Sequence, residues 1–260
     1  MCRATHRRED VEGIKKMKIT AINGSPRGLN STTNIMIEEF LSGAREAGAQ
    51  TENIILCEKK IQDCLGCFSC WSKTPGKCVI KDDMAELFEM IMSSDITVFA
   101  SPVYVGGVTG IMKNFIDRLI PATDPHLKMD RDGIARHVNQ HENHPGMVVI
   151  SNCGFPDPDC FKYFRSIFSF IDSQGGLKLL AEIYLSEGPL LQVNDQGLST
   201  IIQIYRSLLR KAGGEVVKNQ AISTKTQIEL EKPLIPYDLY IEMGNKYWNE
   251  KKQAKTNEHA

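Results

Sequence analysis

The chain has 260 residues, of which 42% are hydrophobic and 24% charged, and its formal net charge is −1 at pH 7. This composition is typical of a globular protein with a full core, and the near-neutral charge gives no reason to expect nucleic acid or a membrane surface as a partner. The sequence contains no run of about 20 apolar residues that would span a bilayer. Residues 1–16 are charged and lack the apolar centre of a secretory signal. We therefore expect a flexible N-terminal extension and a cytoplasmic protein.

Residues 17–33, with the sequence MKITAINGSPRGLNSTT, predict a buried strand, a tight loop and the start of a helix. A loop of this kind presents backbone N–H groups at the positive end of a helix, and its Ser and Thr side chains add donors, which suits a phosphate. The stretch lacks both the G-x-G-x-x-G dinucleotide fingerprint and the G-K-[ST] of a Walker loop. A plain loop with a Ser or Thr helix cap is the alternative interpretation.

Strand-like and helix-like segments alternate along the rest of the chain. The apolar patterns predict further strands at residues 51–57, 96–101, 147–152 and 177–185, and helices at residues 31–48, 84–93, 109–120, 161–174 and 196–212. Paired glycines are expected to close the last two helices. Alternation of this kind predicts an α/β fold, a doubly wound five-stranded parallel sheet in three layers, with ligands beyond the carboxyl ends of the strands.

The same patterns predict the domain organisation. Residues 17–220 form one domain, which contains a cysteine-rich loop at residues 63–79 and an insertion at residues 124–145 that lacks clear periodicity. Residues 221–260 are expected to form a C-terminal tail with one short helix at residues 237–250. This tail is predicted to pack on the domain or on a partner subunit.

Two motifs resemble a known family. The G-S-P-R loop followed by S-T-T, and S-P-V-Y followed further on by K-x-F-I-D-R, are similar to the flavodoxin-like NAD(P)H-dependent FMN reductases and the iron–sulfur flavoproteins. The resemblance implies a flavodoxin-like fold that binds FMN. It implies that the flavin phosphate is surrounded by Ser25, Arg27, Ser31, Thr32 and Thr33, and that the flavin is touched by Pro102, Val103, Tyr104 and Gly106. Asp117 and Arg118 are expected to hold the helix or a dimer contact.

A third loop, after the predicted strand at residues 147–152, would border the ring from the other side. It contains Asn152, Cys153 and Gly154. Cys153 is expected either to tune or shield the flavin, or to be a buried and inert thiol.

Four of the eight cysteines fall within fifteen residues, namely Cys64, Cys67, Cys70 and Cys78. Clustered cysteines in a cytoplasmic chain of this size indicate metal or redox chemistry. Three thiolates at x2 spacing and a fourth beyond them could hold a [4Fe–4S] cluster, and four thiolates would also suit tetrahedral zinc. A segment that binds no metal is the third alternative. The motif resembles that of the iron–sulfur flavoproteins, which favours the cluster.

We therefore predict an FMN-dependent oxidoreductase of the iron–sulfur flavoprotein type. It would move electrons between NAD(P)H or a reduced ferredoxin, FMN and a small-molecule or protein acceptor, with the cluster as a one-electron relay. Because the flavin carries the redox chemistry, no acid–base catalytic residue is assigned. The resemblance implies a homodimer or homotetramer in which the cluster lies close to the neighbouring subunit's flavin.

Three rival functions stay open. One is a cluster-free NAD(P)H:FMN or quinone reductase. Another is a pure electron carrier like flavodoxin, although the near-neutral charge and the long insertion count against it. The last is a non-enzymatic interaction domain stapled by zinc.

Overall fold

The computed structural model describes residues 16–141, 144–174 and 176–257. The extension predicted for residues 1–16 lies outside them, except for Lys16. The strands, numbered in chain order, are β1 (Lys18–Asn23), β2 (Gln50–Ile55), β3 (Ile96–Pro102), β4 (Thr123–Met129), β5 (Ala135–Asn139), β6 (Gly146–Asn152) and β7 (Leu179–Leu185). The helices are α1 (Thr32–Glu46), α2 (Ser69–Ser72), α3 (Met84–Met92), α4 (Gly110–Asp117), α5 (Lys162–Ser173), α6 (Gln196–Asn219), α7 (Thr224–Leu230) and α8 (Tyr237–Asn257).

The central sheet has five parallel strands in the order β2-β1-β3-β6-β7. This is the flavodoxin-like doubly wound arrangement, in which the order reverses between β1 and β3. Successive strand residues face opposite sides of a sheet, so each central strand supplies two cores. On one side the sheet packs against α1 and α6, and on the other against α3, α4 and α5. The predicted three-layer α/β fold is confirmed.

The described part of the insertion predicted at residues 124–145 contains a hairpin, which the apolar pattern did not predict. β4 and β5 pair antiparallel, with a register shift between Thr123 and Leu127. Most of its side chains are exposed or only half-buried, so the hairpin has no buried face that would produce an alternating apolar pattern. This is why periodicity did not identify the two strands.

Helix α6 continues through the paired glycines that were expected to end it at residue 212, so that prediction is wrong. A Cβ atom on Gly213 would lie 1.9 Å from the backbone oxygen of Phe40 in α1, and one on Gly43 would lie 1.7 Å from the oxygen of Arg210. The glycines therefore serve the close crossing of α1 and α6 rather than a helix end. Helix α6 runs on to Asn219.

The C-terminal segment contains two helices where one was predicted. Helix α7 precedes α8, and α8 extends beyond residue 250 to Asn257. Leu230, Leu234 and Ile235 are buried in the core on the α1–α6 side of the sheet. Among the helices of the described residues, none combines the length and the apolar character needed to cross a membrane.

Candidate functional site

The loop after β1 is held by its own polar side chains. The Asn23 side chain accepts the N–H of Ser25 at 3.0 Å, and the Ser25 hydroxyl accepts the N–H of Arg27 at 3.3 Å. The Ser31 hydroxyl donates to the Gly28 carbonyl at 2.7 Å and accepts the N–H of Asn34 at 3.0 Å, which makes Ser31 the N-cap of α1. The sequence thus fixes both the turn and the first helical residue, Thr32.

This loop has the donors that a phosphate requires. Ser25 and Thr33 are each 1% exposed, and each hydroxyl already accepts one hydrogen bond. In the described part of the chain neither hydroxyl hydrogen has an acceptor, so both are free to donate. The first N–H groups of an α-helix also have no partner inside the helix and carry partial positive charge. Arg27 is exposed beside them. A phosphate fits this set of donors.

The loop after β3 is a tight two-residue turn. Tyr104 and Gly107 exchange backbone hydrogen bonds of 2.9 and 3.0 Å, while Val105 and Gly106 have φ angles of 49° and 78°. Positive φ at both central residues defines a type I′ turn. A β-branched residue such as Val105 is strained in this region of backbone space, and its side chain is fully exposed. The strain lies where the sequence predicted contact with the flavin.

Contacts around Gly24 join the first two loops. The N–H of Gly24 donates to the Ala100 carbonyl at 2.7 Å, and the Thr109 hydroxyl donates to the Gly24 carbonyl at 2.6 Å. Thr109 also caps α4 by accepting the N–H of Met112 at 3.3 Å. A Cβ on Gly24 would lie 2.8 Å from Cβ of Met112, so the close approach of loop and helix requires glycine here.

The third loop completes the arrangement through Asn152. Its side-chain amide donates to the Thr33 hydroxyl at 2.8 Å, and its backbone carbonyl accepts the N–H of Val103 at 2.9 Å. Asn152 and Cys153 are buried, whereas Gly154 is exposed. The three loops predicted from separate parts of the sequence therefore meet at the carboxyl edge of the sheet. Their individual roles toward a flavin stay predictions.

All four clustered cysteines line a single cavity. Its wall contains Cys64, Cys67, Cys70 and Cys78, together with Arg118 at the end of α4. The cavity is small, about 20 Å³, and part of its wall is the exposed stretch of Leu65 to Phe68. In the described ranges no three Cys, His, Asp or Glu side chains lie close enough together to hold a single metal ion. Four thiols on one wall form the donor set of an iron–sulfur cluster or of a tetrahedral zinc ion.

The four thiols differ in their surroundings. Burial raises the pKa of the Cys70 thiol, and the neighbouring Cys78, Cys67 and Cys64 raise it further. Hydrogen bonds from the side chain and backbone of Ser69 lower the pKa of Cys67. Because a metal cation stabilises thiolates, a metal bound here would lower the pKa of the Cys70 thiol again.

A buried ion pair supports the cysteine loop, and sequence analysis did not identify it. The guanidinium of Arg118 donates to both carboxylate oxygens of Asp82, at 2.7 and 3.0 Å, and to the Gln62 carbonyl at 2.6 Å. Their side chains are 1% and 4% exposed. Burial opposes the charge on Asp82, but hydrogen bonds from Arg118, Gln62 and Met84 outweigh it and lower the pKa of that carboxyl. Arg118 therefore holds α4 against the start of α3.

Two further contacts complete the surroundings of the cysteine loop. Asp117, which was expected to hold the helix or a dimer contact, forms an exposed ion pair with Lys113 of the same helix at 2.7 Å. The Trp71 ring stacks on Phe68 at 4.9 Å and lies 5.2 Å from the ring of His137 in β5, and its Nε1 donates to the Ile120 carbonyl at 3.3 Å. The β4–β5 hairpin thus packs over one side of the cysteine loop.

Comparison with known proteins places this site in a family. Residues 17–153 match the family model described as NADPH-dependent FMN reductase, which is more than half of the chain. The chain belongs to this family. The matched region begins just before β1 and ends at Cys153, so it contains the first two loops and the start of the third.

Curated relatives share part of this chain. An iron–sulfur flavoprotein of Methanocaldococcus jannaschii is 40% identical over 105 residues, which are 40% of this chain and 53% of the relative. One from Clostridioides difficile is 36% identical over 140 residues, or 52% of this chain and 59% of the relative. The chain spans about half the length of the curated relatives it matches.

Solved structures agree on the fold. An FMN-dependent NADH-azoreductase from Bacillus anthracis superposes with a TM-score of 0.54 at 16% identity, covering 79% of this chain and 99% of the other. An NAD(P)H:quinone oxidoreductase from Methanothermobacter marburgensis gives 0.55 at 16% identity, covering 77% and 97%. At such identities the likeness concerns the flavodoxin-like fold alone.

Proposed function

We propose that the protein is an FMN-dependent oxidoreductase of the iron–sulfur flavoprotein type. The observation that carries the proposal is the junction at Asn152, whose side chain reaches Thr33 in the first turn of α1 and whose backbone carbonyl reaches Val103 in the loop after β3. Family membership and the names of the curated relatives support it. When bound, FMN would supply the two-electron and one-electron chemistry.

The chain's own residues would bind and orient the cofactor. Ser25, Thr33 and the first N–H groups of α1 would donate to the phosphate, and exposed Arg27 would add positive charge. The type I′ turn at Val105 and Gly106 would lie along the ring, and the backbone of Cys153 and Gly154 would border it from the other side. These groups position the ring and exclude water, and no acid–base residue is needed.

The cysteine cavity would hold a [4Fe–4S] cluster. All four thiols line one cavity, and the first three have the x2 spacing of cluster ligands. A tetrahedral zinc site, with Zn–S distances near 2.3 Å, requires thiolate sulfurs about 3.8 Å apart. The curated relatives are named iron–sulfur flavoproteins, which favours the cluster over zinc.

Helix α4 links the two sites. It begins directly after the loop that follows β3, and its last residue lies next to Arg118 in the wall of the cysteine cavity. Eight helical residues span about 12 Å. Within one subunit the two centres would therefore lie at opposite ends of α4, and an oligomer could bring a partner's flavin closer. NAD(P)H or a ferredoxin would be the electron donor, and a cytoplasmic homodimer or homotetramer is proposed.

A cluster-free NAD(P)H:FMN or quinone reductase is the second candidate, because the cysteine cavity is only about 20 Å³ in volume. Anaerobic purification from riboflavin-fed cells, with flavin, iron and zinc analysis on one sample, separates the two. The cluster form predicts FMN with about four irons per chain and a broad visible absorbance. Iron should fall in Cys70→Ser and persist in Cys57→Ser, whose cysteine is exposed outside the motif. FMN without iron or zinc identifies the plain reductase, and absence of FMN contradicts the proposal.

A further inference from the structure

Two cysteines outside the cysteine loop meet beside the third loop. Cys153 follows β6, and Cys160 lies in the short 3-10 helix Pro158–Phe161 that leads into α5. Their Sγ atoms are 2.7 Å apart. Cys153 is 5% exposed and Cys160 is half-buried, so the second thiol is the one open to solvent.

The distance is the unusual feature. A disulfide bond measures about 2.05 Å, so the two sulfurs are only about 0.7 Å farther apart than bonded sulfur atoms. They are therefore close enough to bond after small changes in side-chain torsion. Both thiols are free in the structure.

The backbone that begins at Cys153 is held by contacts to two other parts of the chain. The Cys153 carbonyl accepts the N–H of Gly188 at 2.8 Å, and the Phe155 carbonyl accepts the N–H of Glu187 at 3.1 Å. The Gly154 carbonyl accepts the Tyr240 hydroxyl of α8 at 2.9 Å. These contacts hold residues 153–155, so the backbone around Cys153 is in place for the two sulfurs to bond.

We propose that Cys153 and Cys160 form a reversible dithiol–disulfide centre whose co-reactant is a low-molecular-weight disulfide. In the first step the Cys160 thiolate attacks one sulfur of that disulfide, forms a mixed disulfide and releases one small thiolate. The Cys153 thiolate then attacks Sγ of Cys160, forms the intramolecular bond and expels the second small thiolate. The protein loses two electrons and two protons, and the small disulfide is reduced to two thiols.

The surroundings of the pair set the speed of this exchange. Burial raises the pKa of both thiols, and the carboxylate of Asp157 raises both further. Thiolate is the attacking form, so the reduced pair is slow to react at neutral pH. Slow formation is the expected behaviour.

The sequence offers a direct test. Arg136 and Lys162 are successive tryptic sites, so one peptide, residues 137–162, contains Cys153 and Cys160 and no other cysteine. We would equilibrate the full-length protein in glutathione buffers of increasing disulfide content, alkylate the free thiols, digest with trypsin and measure the mass of this peptide by mass spectrometry. The expected result is an unalkylated peptide two hydrogens lighter than the reduced form, which dithiothreitol returns to two alkylated thiols.

Controls separate this outcome from general oxidation. Exposed Cys57 should take up glutathione as a mixed disulfide in the same sample, which shows that the oxidant has acted. In Cys153→Ser the peptide should retain glutathione on Cys160, because the resolving thiol is missing. Two alkylated thiols in the wild-type peptide at the most oxidising poise would overturn the proposal, and so would a persistent glutathione adduct on wild-type Cys160. The measurement does not depend on bound FMN or iron.

Discussion

The side-chain amide of Asn152 donates to the hydroxyl of Thr33 across 2.8 Å, joining the end of β6 to the first turn of α1. Because the amide occupies the acceptor side of this hydroxyl, the Thr33 hydrogen is directed away from Asn152 and is free for a ligand. The contact thereby connects the third loop to the proposed phosphate site. Thr33 belongs to the S-T-T motif from which the phosphate site was predicted, whereas its pairing with Asn152 follows from the fold.

We expect Asn152→Asp to weaken FMN binding. A carboxylate accepts rather than donates, so Thr33 would turn its hydrogen toward the new side chain, and the added negative charge would repel a phosphate. Loss of one such hydrogen bond corresponds to about 1–2 kcal/mol, or about ten-fold in Kd. Fluorescence titration of the apoprotein with FMN measures the change. Asn219→Asp at the exposed end of α6 is the control, and equal Kd values in both variants would count against the role of Asn152.

Gly24→Ala should destabilise the protein and reduce its FMN content. The new Cβ would lie 2.8 Å from Cβ of Met112 and 3.2 Å from the Ala100 carbonyl, so loop and helix must separate. Overpacking of this kind costs about 1–3 kcal/mol in the free energy of unfolding, which urea denaturation measures. Gly110→Ala is the matched control, since its Cβ would meet nothing within 4 Å. Equal stability of the two variants would contradict the close approach at Gly24.

The Arg118–Asp82 pair should be costly to break from one side. Arg118→Met leaves the Asp82 carboxylate buried without its partner, and we expect a loss of about 3–5 kcal/mol in unfolding free energy. The double variant Arg118→Met, Asp82→Leu should recover part of that loss, because no unpaired charge remains. Urea denaturation of the wild type, of the single variants Arg118→Met and Asp82→Leu, and of the double variant completes the cycle. A double variant less stable than Arg118→Met alone would contradict the explanation.

The same pair gives a pH dependence with a definite sign. The pKa of Asp82 is lower in the folded protein than in the unfolded chain, so the folded state binds fewer protons. Its contribution to stability is therefore fully present above the unfolded pKa of about 4, and is lost as the pH falls through the folded pKa. The stability difference between wild type and Asp82→Asn should shrink as the pH is lowered below about 4. A difference that grows on acidification would reverse the assigned sign.

Val105→Asn should stabilise the protein. Valine at φ 49° is strained, whereas an Asn-Gly pair is the preferred sequence of a type I′ turn. Relief of one such strained residue is worth about 1 kcal/mol, seen as a rise in Tm. Val193→Asn is the control, because Val193 is also an exposed valine but has an ordinary φ of −78°. If both substitutions change Tm alike, strain at Val105 is not the cause.

Much of the fold could be predicted because the buried strands have a strong local signal. β1, β3 and β6 are nearly continuous apolar runs bounded by turn residues, and each predicted strand appears within about three residues of its expected limits. The β4–β5 hairpin could not be found this way, since neither strand has a buried face. The end of α6 was misplaced because Gly213 is required by its close contact with α1, which is distant in the sequence.

In the candidate site, too, local motifs could be predicted and contacts between distant residues could not. Residues in loops after the strands could be assigned from local motifs, because the carboxyl ends of parallel strands share one edge of the sheet. The Asp82–Arg118 and Cys153–Cys160 contacts were missed for different reasons. The first joins residues 36 apart without a pattern, and the second joins a loop to a short 3-10 helix whose direction no periodicity fixes.

The central claim is that the loop after β1 binds the phosphate of a flavin. The most direct measurement is a titration of the flavin-free protein with FMN and, separately, with riboflavin, which carries the same ring without the phosphate. We predict that FMN binds at least about 100-fold more tightly, because two or more charge-assisted hydrogen bonds of about 1.5–3 kcal/mol each would be lost with the phosphate. Equal affinity for the two flavins, or no binding of either, would contradict the account.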